Sequence, residues 1–193
     1  MKMQKNYLKH LISESKKFAQ KKEIFDIVLY GSFVKGKEKP KDIDILILFE
    51  KTPLKERTEI AYEFKVLISK NHKIDVKTIN LKELFEKEFL ARQGVLIEGY
   101  SLLHKEKFSE RFGFKGYSLF TYNLKNFDHN KKTRFIYALI GRRKEKGILK
   151  QLNIISCGKG VYEVPIENSL IFEEFLKKWN VEYHKKNILI SQI

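Results

Sequence analysis

The residues whose types and spacing can do chemistry lie between Ile27 and Phe49, in the run IVLYGSFVKGKEKPKDIDILILF. Asp42 and Asp44 flank Ile43, and side chains alternate along a strand. Both carboxylates therefore point to one side, while Ile43 and Ile45 point to the other. Two acids so placed repel each other unless a cation lies between them, and hard divalent cations take oxygen ligands. The pair reads either as a magnesium site or as two solvated acids at the end of a loop. Gly31-Ser32 bears on that choice: it follows an apolar strand, and nine residues separate it from Asp42. A small pair lets the backbone approach a ligand closely, and N–H groups at the start of a short helical turn suit phosphate.

Two strands must hold these residues. Ile24 to Tyr30 is rich in β-branched and aromatic residues, and Ile45 to Phe49 is a second apolar run. Before them, Tyr7, Leu8, Leu11, Ile12, Phe18 and Ala19 fall at helical spacing, which predicts an amphipathic helix over Asn6 to Ala19. After them, Thr52-Pro53 reads as an N-cap with proline at the first helical position. It opens a helix to about Lys70 with Leu54, Ala61, Phe64, Leu67 and Ile68 on its apolar stripe. Asn71 to Lys73 turns the chain into a third strand, Ile74 to Ile79, with Ile74 and Val76 on one face and Asp75 and Lys77 on the other. By residue type alone Asp75 is an exposed strand acid. Asn80-Leu81-Lys82-Glu83 is similar to a capping box and predicts a helix carrying Leu84, Phe85 and Phe89 to Gly94, with Val95 to Ile97 as a short edge strand.

Gly31-Ser32, nine residues, then Asp42-Ile43-Asp44 resembles the signature of the DNA polymerase beta superfamily of nucleotidyltransferases in its minimal form. Lys35-Gly36 stands where that family often has Arg-Gly, and Lys41-Asp42-Ile43-Asp44 where it often has Ser-Asp-Ile-Asp. The resemblance extends over residues 1–106. It implies a magnesium-dependent transferase, with two metal ions, that moves a nucleoside monophosphate from an NTP, ATP foremost, to an acceptor hydroxyl with release of pyrophosphate. It further implies that Asp42 and Asp44 hold the metals, that Asp75 is a third catalytic carboxylate, and that Gly31 and Ser32 cradle the nucleotide's phosphates. One competitor is set aside. Gly31 and Gly36-Lys37 match the frame of a P-loop, but Glu38 stands where that loop needs Ser or Thr, and Pro40 interrupts the helix that should follow.

At 193 residues the chain has room for one large domain or two small ones. Residues 1–106 hold 22 basic and 16 acidic residues, net +6, and residues 107–193 hold 17 and 8, net +9. The fold class is α/β (α+β): a small mixed sheet flanked by helices over 1–106, then a smaller, basic α/β or winged module over 107–193. A formal charge of +15 makes a polyanionic partner the natural expectation. Cys157, alone, excludes an internal disulfide and reads as a small packed residue. With no signal-peptide core and no long apolar run, the expectation is a soluble, cytoplasmic protein with no membrane partner.

In the second half, Phe112 to Leu124 is dense in aromatics and glycine, which suits a β segment whose rings serve as core or as a surface for stacking bases. Lys131, Lys132 and Arg134 precede a helix around Phe135 to Ile140, and Arg142, Arg143 and Lys144 follow it. These six are a solvated face or a set of phosphate contacts. Gly158 to Pro165 reads as turn and strand, Asn168 to Trp179 as a capped helix, and Val181 to Ile190 as a last strand. The acceptor is open among RNA, a protein hydroxyl and a small molecule. The rival reading is a catalytically idle, nucleic-acid-binding regulator or antitoxin-like protein on the same fold.

Overall fold

The β-branched and aromatic runs Ile24–Tyr30 and Ile43–Phe49 form strands β1 and β2 in the computed structural model, which describes residues 2–20, 22–35, 41–69, 73–143 and 145–192. The chain divides into two compact units, Met1–Lys115 with Gln192–Ile193, and Gly116–Ser191. No helix among the described residues is long and apolar enough to cross a membrane.

In the first unit, β1 and β2 pair antiparallel, and β3 (Ile74–Asn80) runs parallel to β2. The short strands β4 (Tyr100–Ser101) and β5 (Glu106–Lys107) complete a mixed sheet of order β3-β2-β1-β4-β5. Both faces of its centre are covered, which is why Ile45 to Phe49 reads as an unbroken apolar run. On one face Ile43, Ile45, Ile47 and Phe49 meet helices α1 (Lys2–Ala19) and α2 (Leu54–Ile68) through Leu11, Ile60, Phe64 and Ile68. On the other, Leu46, Leu48, Val28 and Tyr30 pack with Ile79, Leu84, Val95 and Phe108. Asp26, fully buried on β1, accepts hydrogen bonds from Ser101 at 2.8 Å and from Arg111 at 2.6 Å. Burial nevertheless leaves its carboxyl raised above the usual range, against the pull of Ser101 and Arg111.

Several expectations are corrected here. The proline N-cap does not take the expected form: Pro53 is the cap residue, without a side-chain cap bond, and α2 starts at Leu54. Thr52 is instead tied down by the Asn80 amide, which accepts its N–H at 2.9 Å and donates to its carbonyl at 3.1 Å. The buried stripe of α2 is Arg57, Ile60, Phe64 and Ile68, while Leu54 is 65% exposed. A buried arginine breaks an apolar-only pattern because Glu83 neutralises it from across the unit, Arg57 Nη2 to Glu83 Oε1 being 2.7 Å. The capping box at Asn80 and Glu83 is present, but it opens only a 3₁₀ turn, Leu81–Phe85. Val95 to Ile97 lies in a wide helical turn, Gly94–Glu98, and the edge pairing with β1 falls to β4. Burial of Val95 together with Glu98 follows a helical rather than an alternating spacing.

The second unit carries β6 (Phe114–Tyr122), helix α3 (His129–Ile140) and a small hairpin of β7 (Gly141–Arg142) and β8 (Glu145–Lys146). The turn α4 (Ile148–Gln151), β9 (Ile155–Gly158), β10 (Val161–Pro165), α5 (Ser169–Lys178) and β11 (Tyr183–Ser191) follow. Its sheet has the order β11-β6-β10-β9. Phe120, Phe135, Tyr162, Val164, Phe172 and Leu176 form its core; of the rings between Phe112 and Leu124 only Phe120 is buried there, with Tyr122 packed against it, while Phe112 and Phe114 are exposed. Helix α3 begins six residues earlier than expected, because Asp128 caps it by accepting the Lys131 N–H at 2.8 Å. Lys131, Lys132 and Arg134 thus lie within the helix rather than before it. Cys157 is exposed, not packed, because β9 is an edge strand with no buried residue.

Candidate active site

Strand pairing brings the candidate residues together. Tyr30, the last residue of β1, faces Asp44 across the antiparallel pair, so the turn that starts at Gly31 lies against that carboxylate. Gly31 has φ +77°, and a Cβ there would stand 2.2 Å from Asp44 Oδ2. Only glycine meets both conditions, an αL backbone and an absent side chain. The turn itself is pinned from below, where Phe33 and Val34 pack on the core of α1 and the sheet. Ser32 sits half-buried between these anchors.

On the other flank, the parallel register pairs Ile43 with Ile74 and Asp44 with Asp75. Neighbouring residues in register share a face, so the two carboxylates emerge side by side, Asp44 half-buried and Asp75 exposed. Asp42, half-buried, lies just before β2. Burial, then the charge of Asp42, then that of Asp75, raise the Asp44 carboxyl above its ordinary value, with Lys77 and Lys35 pulling it down. Burial and the charges of Asp44 and Asp75 likewise raise the Tyr30 phenol, which keeps it neutral at the edge of the acids.

Lys35, Lys77 and Tyr30 belong to this neighbourhood although the motif does not contain them as functional positions. Lys77 lies two residues beyond Asp75 on β3, so strand alternation signals it. Lys35 is held by Glu98 at 3.2 Å, across 63 residues, and nothing local in the sequence announces that pair. Gly36, Lys37, Glu38 and Pro40, which decide the P-loop comparison, lie outside the described residues.

Among the described residues no three His, Cys, Asp or Glu side chains stand as a ready-made metal cluster. The donor chemistry does fit a hard cation: three carboxylates, oxygen donors only, of which Asp42 and Asp75 both raise the Asp44 carboxyl by their negative charge, against a smaller pull from Lys77 and Lys35.

Of the basic residues singled out in the second half, Lys131, Lys132 and Arg134 fall on α3 and Arg142 and Arg143 in the hairpin after it. Lys131 Nζ lies 3.9 Å from the centroid of the Phe127 ring, and the Arg142 guanidinium 4.8 Å from that of Tyr137. Lys132, Arg134, Arg142 and Arg143 are exposed, Arg143 in an αL turn at φ +55°. Lys144 lies outside the described residues.

The first unit is thus a mixed sheet flanked by helices, with a glycine turn at the end of β1 beside the strand acids Asp44 and Asp75. Residues 14–101 match the model of the family described as polymerase beta, nucleotidyltransferase, and this segment is a nucleotidyltransferase domain of the polymerase beta superfamily. Among solved structures, the crystal structure of a toxin–antitoxin with AMP-PNP is similar at 21% identity over 47% of this chain and 71% of its own, with a TM-score of 0.36. The tri-AMPylated Shewanella oneidensis HEPN toxin in complex with its MNT antitoxin is similar at 22% identity over 51% and 71%, with a TM-score of 0.34. No curated protein matches the chain.

Proposed function

We propose that the first unit transfers a nucleoside monophosphate from an NTP, ATP foremost, to an acceptor hydroxyl, with release of pyrophosphate. The observation that carries the reading is the register of Asp44 with Asp75 beside a turn whose glycine is pressed against Asp44. In this reading Asp42, Asp44 and Asp75 hold magnesium, two ions being the expected number. Magnesium bound there supplies positive charge for the phosphate oxygens and for the leaving pyrophosphate.

The remaining steps fall to the chain. Gly31 lets the backbone come close to the triphosphate, and the N–H groups of the turn and the Ser32 hydroxyl donate to its outer phosphates. Lys35 and Lys77 add cationic charge to the rim of the same site. Asp75, the exposed member of the three, faces the acceptor and receives its hydroxyl proton. The acceptor oxygen then forms a bond to the α-phosphorus in line with the departing oxygen, the bond to the β-phosphate bridge breaks, and pyrophosphate carries away that electron pair. The acceptor itself, an RNA or a protein, is sought from the second unit, where Lys131, Lys132, Arg134, Arg142 and Arg143 offer phosphate contacts. Lys144 belongs to the same sequence cluster.

The reading is tested by incubating the protein, magnesium and cell extract with each NTP labelled in turn on the α- or γ-phosphate. Nucleotidyl transfer leaves the α-label on a product and the γ-label in pyrophosphate. A γ-label retained on the product means phosphoryl transfer and overturns the proposal.

A further inference from the structure

The second unit contains a pocket of about 390 Å³ that has no part in the chemistry above. Tyr122, Phe135, Leu139 and Tyr162 line its apolar floor. Tyr122 and Tyr162 stack at 5.6 Å with 15° between their planes, and Phe135 meets Tyr122 edge-on at 5.6 Å and 87°. Ile136 and Ile140, one turn apart on α3, line it too and remain 36% and 58% exposed. Beside the cavity the two isoleucines extend its apolar lining to the surface, where the apolar body of a ligand could rest.

Three lysines, Lys125, Lys132 and Lys159, also line the pocket, and no acidic residue does so among the described residues. Lys159 is delivered by the turn between β9 and β10. There Gly160, at φ +75°, accepts the Tyr122 N–H at 2.9 Å and approaches so closely that a Cβ would stand 2.2 Å from the Tyr122 carbonyl oxygen. The ligand must therefore combine a flat or apolar body with negative charge. Either property alone leaves part of the lining unexplained. The volume lies at the small end of the roughly 300–1,000 Å³ usual for ligand sites, room for one nucleotide. Lys131 and Arg134 on α3, and Arg142 and Arg143 in the hairpin after it, add to the positive charge of the second unit.

We propose that this pocket takes one unpaired base of a single-stranded nucleic acid, with the flanking phosphates on Lys125, Lys132 and Lys159. Base stacking on aromatic and apolar side chains supplies the sequence-tolerant part of such binding, and lysines supply the salt-dependent part. The inference deepens the transferase reading, on which it rests only for its consequence, that a strand held here is the acceptor class. The binding itself is argued from the second unit alone.

The test uses the full chain and a labelled single-stranded RNA of about 12 nucleotides, long enough to fill one site, followed by fluorescence anisotropy. Unlabelled single strand, duplex of the same sequence and AMP serve as competitors. Single strand is expected to compete at least tenfold better than duplex or AMP. Ile136→Glu and Lys132→Glu, both at exposed positions, are each expected to lower affinity about tenfold. In wild type, the methyl resonances of Ile136 and Ile140 should shift on saturation with RNA. Asp44→Asn should bind RNA as wild type does, so loss of transfer and loss of binding are separate results. Equal competition by duplex reduces the site to a charged surface and overturns the proposal. Equal competition by AMP overturns the strand assignment in favour of a free nucleotide, and unshifted isoleucine methyls remove the pocket from the account.

Discussion

Replacing Gly31 with alanine separates two effects that the structure superimposes at one atom. An L-residue at φ +77° carries about 1–2 kcal/mol of backbone strain. The new Cβ would also stand 2.2 Å from Asp44 Oδ2 and 3.2 Å from its Cγ, so the Asp44 carboxylate must swing away. Forcing a side chain off its rotamer adds about 0.5–1.5 kcal/mol. Gly31→Ala is therefore expected to cost about 2–3 kcal/mol in the wild-type background. In an Asp44→Ala background only the strain remains, about 1–2 kcal/mol. The difference, about 1 kcal/mol, is the coupling energy of a double-mutant cycle. The single tryptophan, Trp179, belongs to the second unit. Hydrogen exchange of β1 and β2 amides is the suitable assay, where 1 kcal/mol appears as a roughly fivefold change in rate. The same cost of Gly31→Ala in both backgrounds would refute the close approach of turn and carboxylate.

Three further outcomes follow from named contacts. Ser32→Ala should weaken NTP affinity by about 0.5–1.5 kcal/mol in equilibrium titration, the worth of one hydroxyl hydrogen bond; unchanged affinity removes Ser32 from the phosphate cradle. Arg111→Ala leaves Asp26 buried without its cation and should cost about 3–5 kcal/mol at neutral pH in denaturant unfolding. Because the Asp26 pKa is raised in the fold, that penalty grows as pH rises through the folded value and fades in acid; a pH-independent loss contradicts it. At Glu173, burial alone would raise the carboxyl, but hydrogen bonds from Lys177, Lys185 and Tyr183 outweigh it and hold it at about 2. A lowered folded pKa stabilises above the unfolded value of about 4.3 and is lost as pH falls toward 2. Glu173→Gln should therefore lower stability by about 1–2 kcal/mol at neutral pH, a figure discounted for solvent screening, and flatten the acid limb followed through Trp179 fluorescence. An unaltered acid limb refutes this.

What the sequence made legible was whatever depends on local pattern. The bounds of β1 follow from residue type, whereas Asp42 lies just before β2, where strand alternation does not assign it a face. The apolar run of β2 was visible too, although the strand begins at Ile43 and so takes in Asp44. Long-range neutralisation left no such trace. Arg57 is buried because Glu83, 26 residues on, pairs with it, and the apolar stripe of α2 was misplaced for that reason. Lys35 meets Glu98 in the same way across the unit. Lys77 shares the face of Asp75 by strand alternation, but no motif distinguishes it from any other strand lysine. In the second half, the floor of the pocket gathers residues from β6, α3 and β10, whose spacing means nothing until the sheet order is known.

The central claim is that Asp44 and Asp75, in register on β2 and β3, are the acids of nucleotidyl transfer. Pyrophosphate release from ATP with acceptor present tests it most directly, measured for wild type, Asp44→Asn and Asp75→Asn alongside unfolding of each variant. The account predicts that Asp44→Asn abolishes release and Asp75→Asn impairs it. Asp44→Asn should lose no stability, because it removes a partly buried charge that Asp42 and Asp75 repel. Release at the wild-type rate from folded Asp44→Asn would contradict it.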